Sequence, residues 1–447
     1  MTQHTQYTAL ADRLVQYALK AGCQQARIVV SYIVETNVEA RGNNIETLLQ
    51  STGIGVALNL FVDGRYGTAS SNRLVEEELI ALIDRTISTT RYLGEDLCRK
   101  LPDPTRYYRP QSADENEALL LGNCEETVAT KDIDIKNGLV LQAAGEATRL
   151  TESDPRIISV EVGLQDRIGW QYISDSQGFK GKTTFSVASL YSSVALQDDD
   201  EARPSDFYVS TAIGYDTLKH TDIVGEAYRR ALRKLGSRPI EAGHYTIVVD
   251  RRSIGKLLDP LLDAMDGGAL YRERSFLAQH LDKPIASPLL TLTDQPHRHG
   301  ALGARLFDFE GVATAPTTIV EAGVLKSFSI DTYYGEKLQT APTFSGPSVL
   351  CVAPGERSQE EIIASQKRAL LITGWVGGNH NEVTGDFSFG IEGVLIEDGV
   401  LTTPVSEMNI TGNLLELWMH LSEVGNETDY VNAGYIPTLV FEEVKVG

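Results

Sequence analysis

The chain has 447 residues, of which 42% are apolar and 23% charged; this is the composition of an ordinary globular protein, and the length asks for two or three hydrophobic cores. Forty basic against 61 acidic residues leave a formal net charge of −21, which repels phosphate backbones and argues against direct nucleic-acid contact. No apolar run reaches the roughly 18 residues of a membrane-spanning helix, and Cys23, Cys98, Cys124 and Cys351 lie far apart with no C-x-x-C pair, so the expectation is a cytoplasmic protein with free thiols and no membrane contact.

In chain order, residues 7–21 place Leu10, Leu14 and Ala18 at helical spacing, with Gly22 as the stop. The runs ARIVVSYIV, NNIETLLQ and GIGVALNLFVDGRYGTAS read as strands, the last folding back at Asp63-Gly64. A helix over 73–92 completes an N-terminal α+β unit, residues 1–95. Over 96–132 the periodicity fades, and the Pro-containing, polar segment CRKLPDPTRYYRPQSADENE reads as a linker. The middle α+β unit, 133–236, starts with a helix at 134–151 and continues as a period-two antiparallel meander. Its acidic run Asp198-Asp199-Asp200-Glu201 reads as a solvated turn, and the basic residues Arg229, Arg230, Arg233 and Lys234 as a solvated helix face. The β-rich C-terminal unit, 241–447, holds hairpins in TIVEAGVLKSFSID and GVLIEDGVLTTPV, a helix over NLLELWMHLSEVG and a last strand in PTLVFEEVKVG. The fold class is therefore α+β, with mixed helices and largely antiparallel sheets.

The stretch HYTIVVDRRSIGKLLDPLLDAMDGG, residues 244–268, reads as a strand followed by a helix. Ile254, Leu257, Leu258, Leu261, Leu262 and Met265 share one face, and Lys256, Asp259, Asp263 and Asp266 lie opposite. Pro260 lacks the N–H that would bond to residue 256, so the helix kinks there or Asp259 caps a helix beginning at Pro260. Capping and solvation account for the aspartates. As ligands they are hard oxygen donors suited to magnesium or calcium, whereas a zinc hydrolase needs imidazoles one turn apart and a general base. His297 and His299 are the closely spaced histidine pair and lack a third ligand nearby in sequence. There is no nucleophile elbow, P-loop or dinucleotide fingerprint. The segment GWVGGNHNEVTGDFSFGIEG, residues 374–393, has six glycines. It reads as a loop that lines a cleft or pairs with an extended peptide, or as a set of tight turns. Its candidate cleft residues are Asn381, Gly385, Asp386 and Ser388, joined by Asn413 farther along.

The order TGDFSFGIEGVLIEDGV, PVSEMNITGNLLELW and a terminal strand after Pro437 resembles the TldD/PmbA family, once named modulators of DNA gyrase. The N-terminal run IVVSYIVETNVEARGNNIETLLQSTGIGVALNLFVDGRYGTASSN agrees, so the resemblance covers nearly the whole chain. One branch of that family is a zinc metallopeptidase with H-E-x-x-x-H on a helix just after a strand of the third unit, plus a later cysteine ligand. The TldE or PmbA branch lacks those ligands and partners the first. Here the corresponding helix reads SIGKLLDPLLDAMDGG, onto which no ligand or catalytic glutamate carries over, and Cys351 is not assigned to metal. The resemblance implies a subunit with no catalytic, cofactor or metal residues of its own, paired with a TldD-like zinc peptidase around unfolded peptide, with zinc in the partner. Two other readings stand beside it. One is a metallopeptidase in its own right, built from scattered residues such as His297, His299 and Asp386; the other is a non-enzymatic scaffold or binding protein, a homodimer when alone.

Overall fold

The computed structural model describes residues 3–110, 117–199, 202–431 and 434–447. The N-terminal half consists of α1 (Gln3–Lys20), β1 (Gln25–Arg41), β2 (Asn44–Val62), β3 (Arg65–Ser71) and α2 (Glu76–Thr90). Then come α3 (Glu117–Leu121), α4 (Thr127–Thr130), α5 (Ile133–Ser153), β4 (Ile157–Asp175), β5 (Lys180–Leu196), β6 (Ser205–Ala212) and α6 (Ile223–Leu232). The Asp63-Gly64 turn forms as expected, both residues having positive φ (50° and 69°), the requirement of a two-residue hairpin loop. Of the acidic run, Asp200 and Glu201 lie outside the described residues; Asp198 holds the turn by accepting from the Gly236 N–H at 2.6 Å.

The strands of the first and middle units form one sheet, ordered β3-β2-β1-β4-β5-β6, in which β1 and β4 pair antiparallel from Arg27↔Asp175 to Ala40↔Val162. Even-numbered residues of β1 and β2 point to one face, where α1 and α2 cover Ile28, Val30, Val56, Leu58 and Leu60, and α5 and α6 cover Val38, Leu164 and Leu190. The opposite face meets the C-terminal unit through Val29, Ile173 and Phe179.

The expected linker is a packed wedge along much of its length. The Tyr107 hydroxyl donates to Asp175 at 2.7 Å, the Tyr108 N–H to the Gly311 carbonyl at 3.0 Å, and Leu121 is buried. Aromatic packing supplies the reason, since Tyr107, Phe179 and Phe307 form a run of rings about 5 Å apart. Residues 111–116 of this segment lie outside the described residues.

The C-terminal unit holds β7 (Gly243–Val249), α7 (Gly255–Ala264), α8 (Gly267–Tyr271), β8 (Leu292–Asp294), β9 (Thr317–Glu321), β10 (Val324–Leu325) and α9 (Thr332–Leu338). It continues through β11 (Leu350–Val352), α10 (Gln359–Ser365), β12 (Arg368–His380), β13 (Asp386–Glu397), β14 (Val400–Asn413), α11 (Leu414–Met419), β15 (Leu421–Val424), β16 (Gly434–Tyr435) and β17 (Leu439–Val446). A sheet ordered β14-β13-β12-β7-β17-β15 closes on itself where β14 pairs with β17 at Ile410↔Val446. A second sheet, β10-β9-β8-β11-β16, shares its largest core, which includes Leu257, Leu261, Leu292, Phe389 and Trp418.

Two local expectations change. The helix expected over 413–425 stops at Met419, and β15 follows, because Leu421 and Val424 pair with β17 and bury their side chains there. The glycine-rich segment is a strand pair and not a loop: β12 and β13 pair antiparallel, with an irregularity between Val376 and Asn379. Its glycines serve close approach, since a Cβ on Gly390 would sit 2.2 Å from the Val376 carbonyl oxygen.

Candidate functional site

β7 delivers the chain to α7, which packs Leu257, Leu258 and Leu261 into the core and leaves Asp259 and Asp263 exposed. α7 is continuous from Gly255 to Ala264 with Pro260 inside it, so Asp259 caps nothing. The capping aspartate is Asp266, which stays exposed while its carboxylate accepts from the Gly268 N–H at 2.8 Å and the Ala269 N–H at 3.3 Å at the start of α8.

The β12–β13 hairpin is clamped over this helix. The Trp375 indole donates to the Ser253 carbonyl at 2.7 Å, and the Lys256 ammonium donates to the Gly378 carbonyl at 3.3 Å while lying 4.7 Å from the Phe389 ring centre. The hairpin tip, residues 381–385, is pinned from below, where the Phe276 N–H donates to the Glu382 carbonyl at 3.0 Å. Within the tip the Asn381 side chain accepts from the Val383 and Thr384 N–H groups. Asn413 reaches across to donate to the Thr384 carbonyl at 2.8 Å and to Asp386 at 3.0 Å. These bonds hold the Asp386 carboxyl below the usual carboxylate range, first through Asn413 and then through Thr384.

Around the tip lies a hollow of about 560 Å³, lined in part by Arg274, Asn379, His380, Glu382, Asp386 and Ser388. A smaller one of about 180 Å³, bounded by Pro260, Asp263, Asp266 and Arg272, shares Arg274, His380 and Glu382 with it. Asn381, Asp386 and Ser388 thus line the larger hollow, whereas Gly385 and Asn413 brace the tip beside it. Arg274, His380 and Glu382 were missed by sequence reasoning. The fragment His380-Asn381-Glu382 between two strands was the available signal, but its meeting with α7 and Arg274 is tertiary. Asp263 is raised by partial desolvation and by Asp266 and Glu382, with His380 opposing. Asp259 is raised by desolvation and by Asp263.

The donors around α7 do not suit zinc. Asp259, Asp263 and Glu382 offer oxygens and His380 one imidazole, and among the described residues no three His, Cys, Asp or Glu side chains gather as a metal-holding group. Cys351 lies on β11, where its thiol faces Arg298 at 3.8 Å. His297 is tied to Thr314 at 3.1 Å, and His299 packs beneath Gly122.

A helix-backed sheet joined to a closed β-unit, with a polar groove where the β12–β13 hairpin crosses α7, defines a three-part α+β architecture. Three family models match those parts: the PmbA/TldA metallopeptidase domain 1 over 26–89, the central domain over 122–235 and the C-terminal domain over 242–447. The chain belongs to the PmbA/TldD family. It is 41% identical to a solved candidate modulator of DNA gyrase from Bacteroides thetaiotaomicron, with 98% of each chain covered and a TM-score of 0.93. The metalloprotease PmbA of Escherichia coli O157:H7 is 24% identical over 426 residues, 94% of this chain and 92% of that one. TldE from Thermococcus kodakarensis shares the fold, with a TM-score of 0.84, 21% identity and coverage of 98% of this chain and all of that one.

Proposed function

We propose that this chain is the subunit without a catalytic zinc site in a TldD/TldE-type metalloprotease assembly, acting in proteolysis or peptide maturation beside a TldD-like zinc peptidase. The observation that carries this reading is the side-chain set on α7, where Asp263 lines the groove, Lys256 is bonded under the hairpin, Asp259 is exposed and no imidazole projects from the helix. In the zinc branch the same strand-and-helix scaffold would carry H-E-x-x-x-H. The strand-and-helix scaffold and the hairpin clamped over it suit a wall of a chamber that admits unfolded peptide. The net charge of −21 fits an indirect rather than a direct relation to DNA.

The test is to purify the chain alone and with a TldD-like partner, and to follow cleavage of an unfolded peptide with and without a chelator. Cleavage is expected only with the partner present, and the chelator should abolish it. Robust chelator-sensitive cleavage by this chain alone would overturn the reading.

A further inference from the structure

The cations beside α7 and its hairpin are used unequally. Lys256 donates to the Gly378 carbonyl, and Arg272 donates to the Tyr334 hydroxyl at 3.0 Å. Arg274 lines both hollows and is exposed. Among the described residues its guanidinium makes no ion pair and no hydrogen bond, although Glu382 and Asp386 line the larger hollow with it.

The backbone that carries this guanidinium is fixed on both sides. α8 ends on Glu273 at φ 57°, with the Glu273 N–H bonded to the Leu270 carbonyl at 3.1 Å and the Arg274 N–H to the Ala269 carbonyl at 2.9 Å. This is the Schellman arrangement, made here without the glycine that adopts it at no steric cost. A non-glycine residue held at positive φ has its direction imposed by the surrounding structure. Next, the Ser275 hydroxyl donates to the Ala264 carbonyl of α7, and the Phe276 N–H reaches the Glu382 carbonyl of the hairpin tip. Residues 273–276 therefore join α8, α7 and the tip, and the Arg274 head group is the part left unengaged.

The larger hollow also presents Asn379 and Ser388, which are opposite each other in the β12–β13 ladder and so project from one face of it. Neither side chain forms a hydrogen bond among the described residues, whereas Asn381, Thr384, Asp386 and Asn413 are taken up in bracing the tip. We infer that this hollow binds a carboxylate of a peptide, chain-terminal or from an acidic side chain, with Arg274 as its partner and Asn379 and Ser388 as neutral donors. The planar guanidinium matches the two oxygens of a carboxylate. Glu382 and Asp386 in the same wall repel a dianion such as phosphate more than a singly charged group. The inference rests on the peptide-handling reading proposed above for the class of ligand, and adds which end or side chain of the peptide this chain reads.

Titration calorimetry of the full chain alone tests it, with three probes: tri-alanine as the free acid, tri-alanine amide, and the amide of alanyl-glutamyl-alanine. The free acid, the glutamyl amide or both should bind at least about tenfold more tightly than tri-alanine amide, and which of them does so identifies the source of the carboxylate. Arg274→Gln should erase that preference, while Arg274→Lys, which keeps the charge and loses the fork, should retain part of it. Circular dichroism confirms that both variants are folded. Equal binding of the three peptides, no binding of any up to ~10 mM, a preference that survives in folded Arg274→Gln, or displacement of the peptide by an equal concentration of inorganic phosphate would overturn the inference. The readout needs neither cleavage nor a partner. Chelator-sensitive cleavage by this chain alone would therefore sink the reading of its subunit role and leave the carboxylate preference unchanged, so the two fail separately.

Discussion

Gly385 is held at φ +80°, and a Cβ there would come within 3.2 Å of the Phe276 ring. Gly385→Ala should therefore cost about 1–2 kcal/mol, read as a lower unfolding midpoint in urea. Glu310 shows a second residue-scale effect. Burial pushes its carboxyl above the ordinary 4.5, with Asp308 and Asp331 adding to the rise and two hydrogen bonds from Thr332 opposing it. Above pH 4.5 and up to its raised value, the folded chain keeps a proton that the unfolded chain has lost, so this group makes the fold less stable as pH rises through that window. Glu310→Gln retains an acceptor for Thr332 and should flatten this part of the pH dependence, measured by urea unfolding from pH 4 to 7. Such roles were only partly legible in sequence. Six glycines marked residues 374–393 as special, yet Gly377, Gly378 and Gly385 are there for positive φ, and Gly390 and Gly393 because a facing backbone leaves no room for a Cβ. A one-dimensional pattern does not separate those two demands.

At the scale of elements, a buried ion pair sets how α5 sits on the sheet. The Lys136 ammonium lies 2.6 Å from Asp166 on β4, with both side chains 2% exposed, and also donates to Thr36 on β1 at 3.1 Å. The Tyr215 hydroxyl donates to the same carboxylate. Lys136→Met leaves Asp166 buried with one neutral donor and should cost about 3–5 kcal/mol; Lys136→Met with Asp166→Leu should recover much of that loss in the same urea titration. The hairpin clamp is a smaller lever. Trp375→Phe removes the bond to the Ser253 carbonyl and should cost about 1 kcal/mol, with faster hydrogen exchange confined to residues 374–392. Elements with a strong local pattern were readable beforehand: α1, α2, α5 and the turns at Asp63-Gly64 and Asp398-Gly399. The end of α11 was not, because residues 421–424 are helix-compatible and become a strand only where β17 offers a partner.

At the scale of the molecule, Arg27 ties the two halves together. From β1 it donates to the Glu310 carbonyl at 2.7 Å and lies 3.5 Å from Asp175, which also takes the Tyr107 hydroxyl bond. Arg27→Leu should cost about 3 kcal/mol and lower the cooperativity between halves, seen as earlier proteolytic cleavage between residues 96 and 132 than in the unaltered chain. The sequence by itself determined the α+β class, the family and the amphipathic character of α7, because these rest on composition, residue order and side-chain periodicity. It also showed that the helix after β7 carries aspartates and a lysine and no histidine. Only the tertiary structure decided that the first two units share one sheet, that the expected linker is a packed wedge, and that Arg274, His380 and Glu382 meet Asp263 around one groove. Each of these joins residues about a hundred or more positions apart, or turns on how a segment docks, and such long-range pairings leave no local period in the chain.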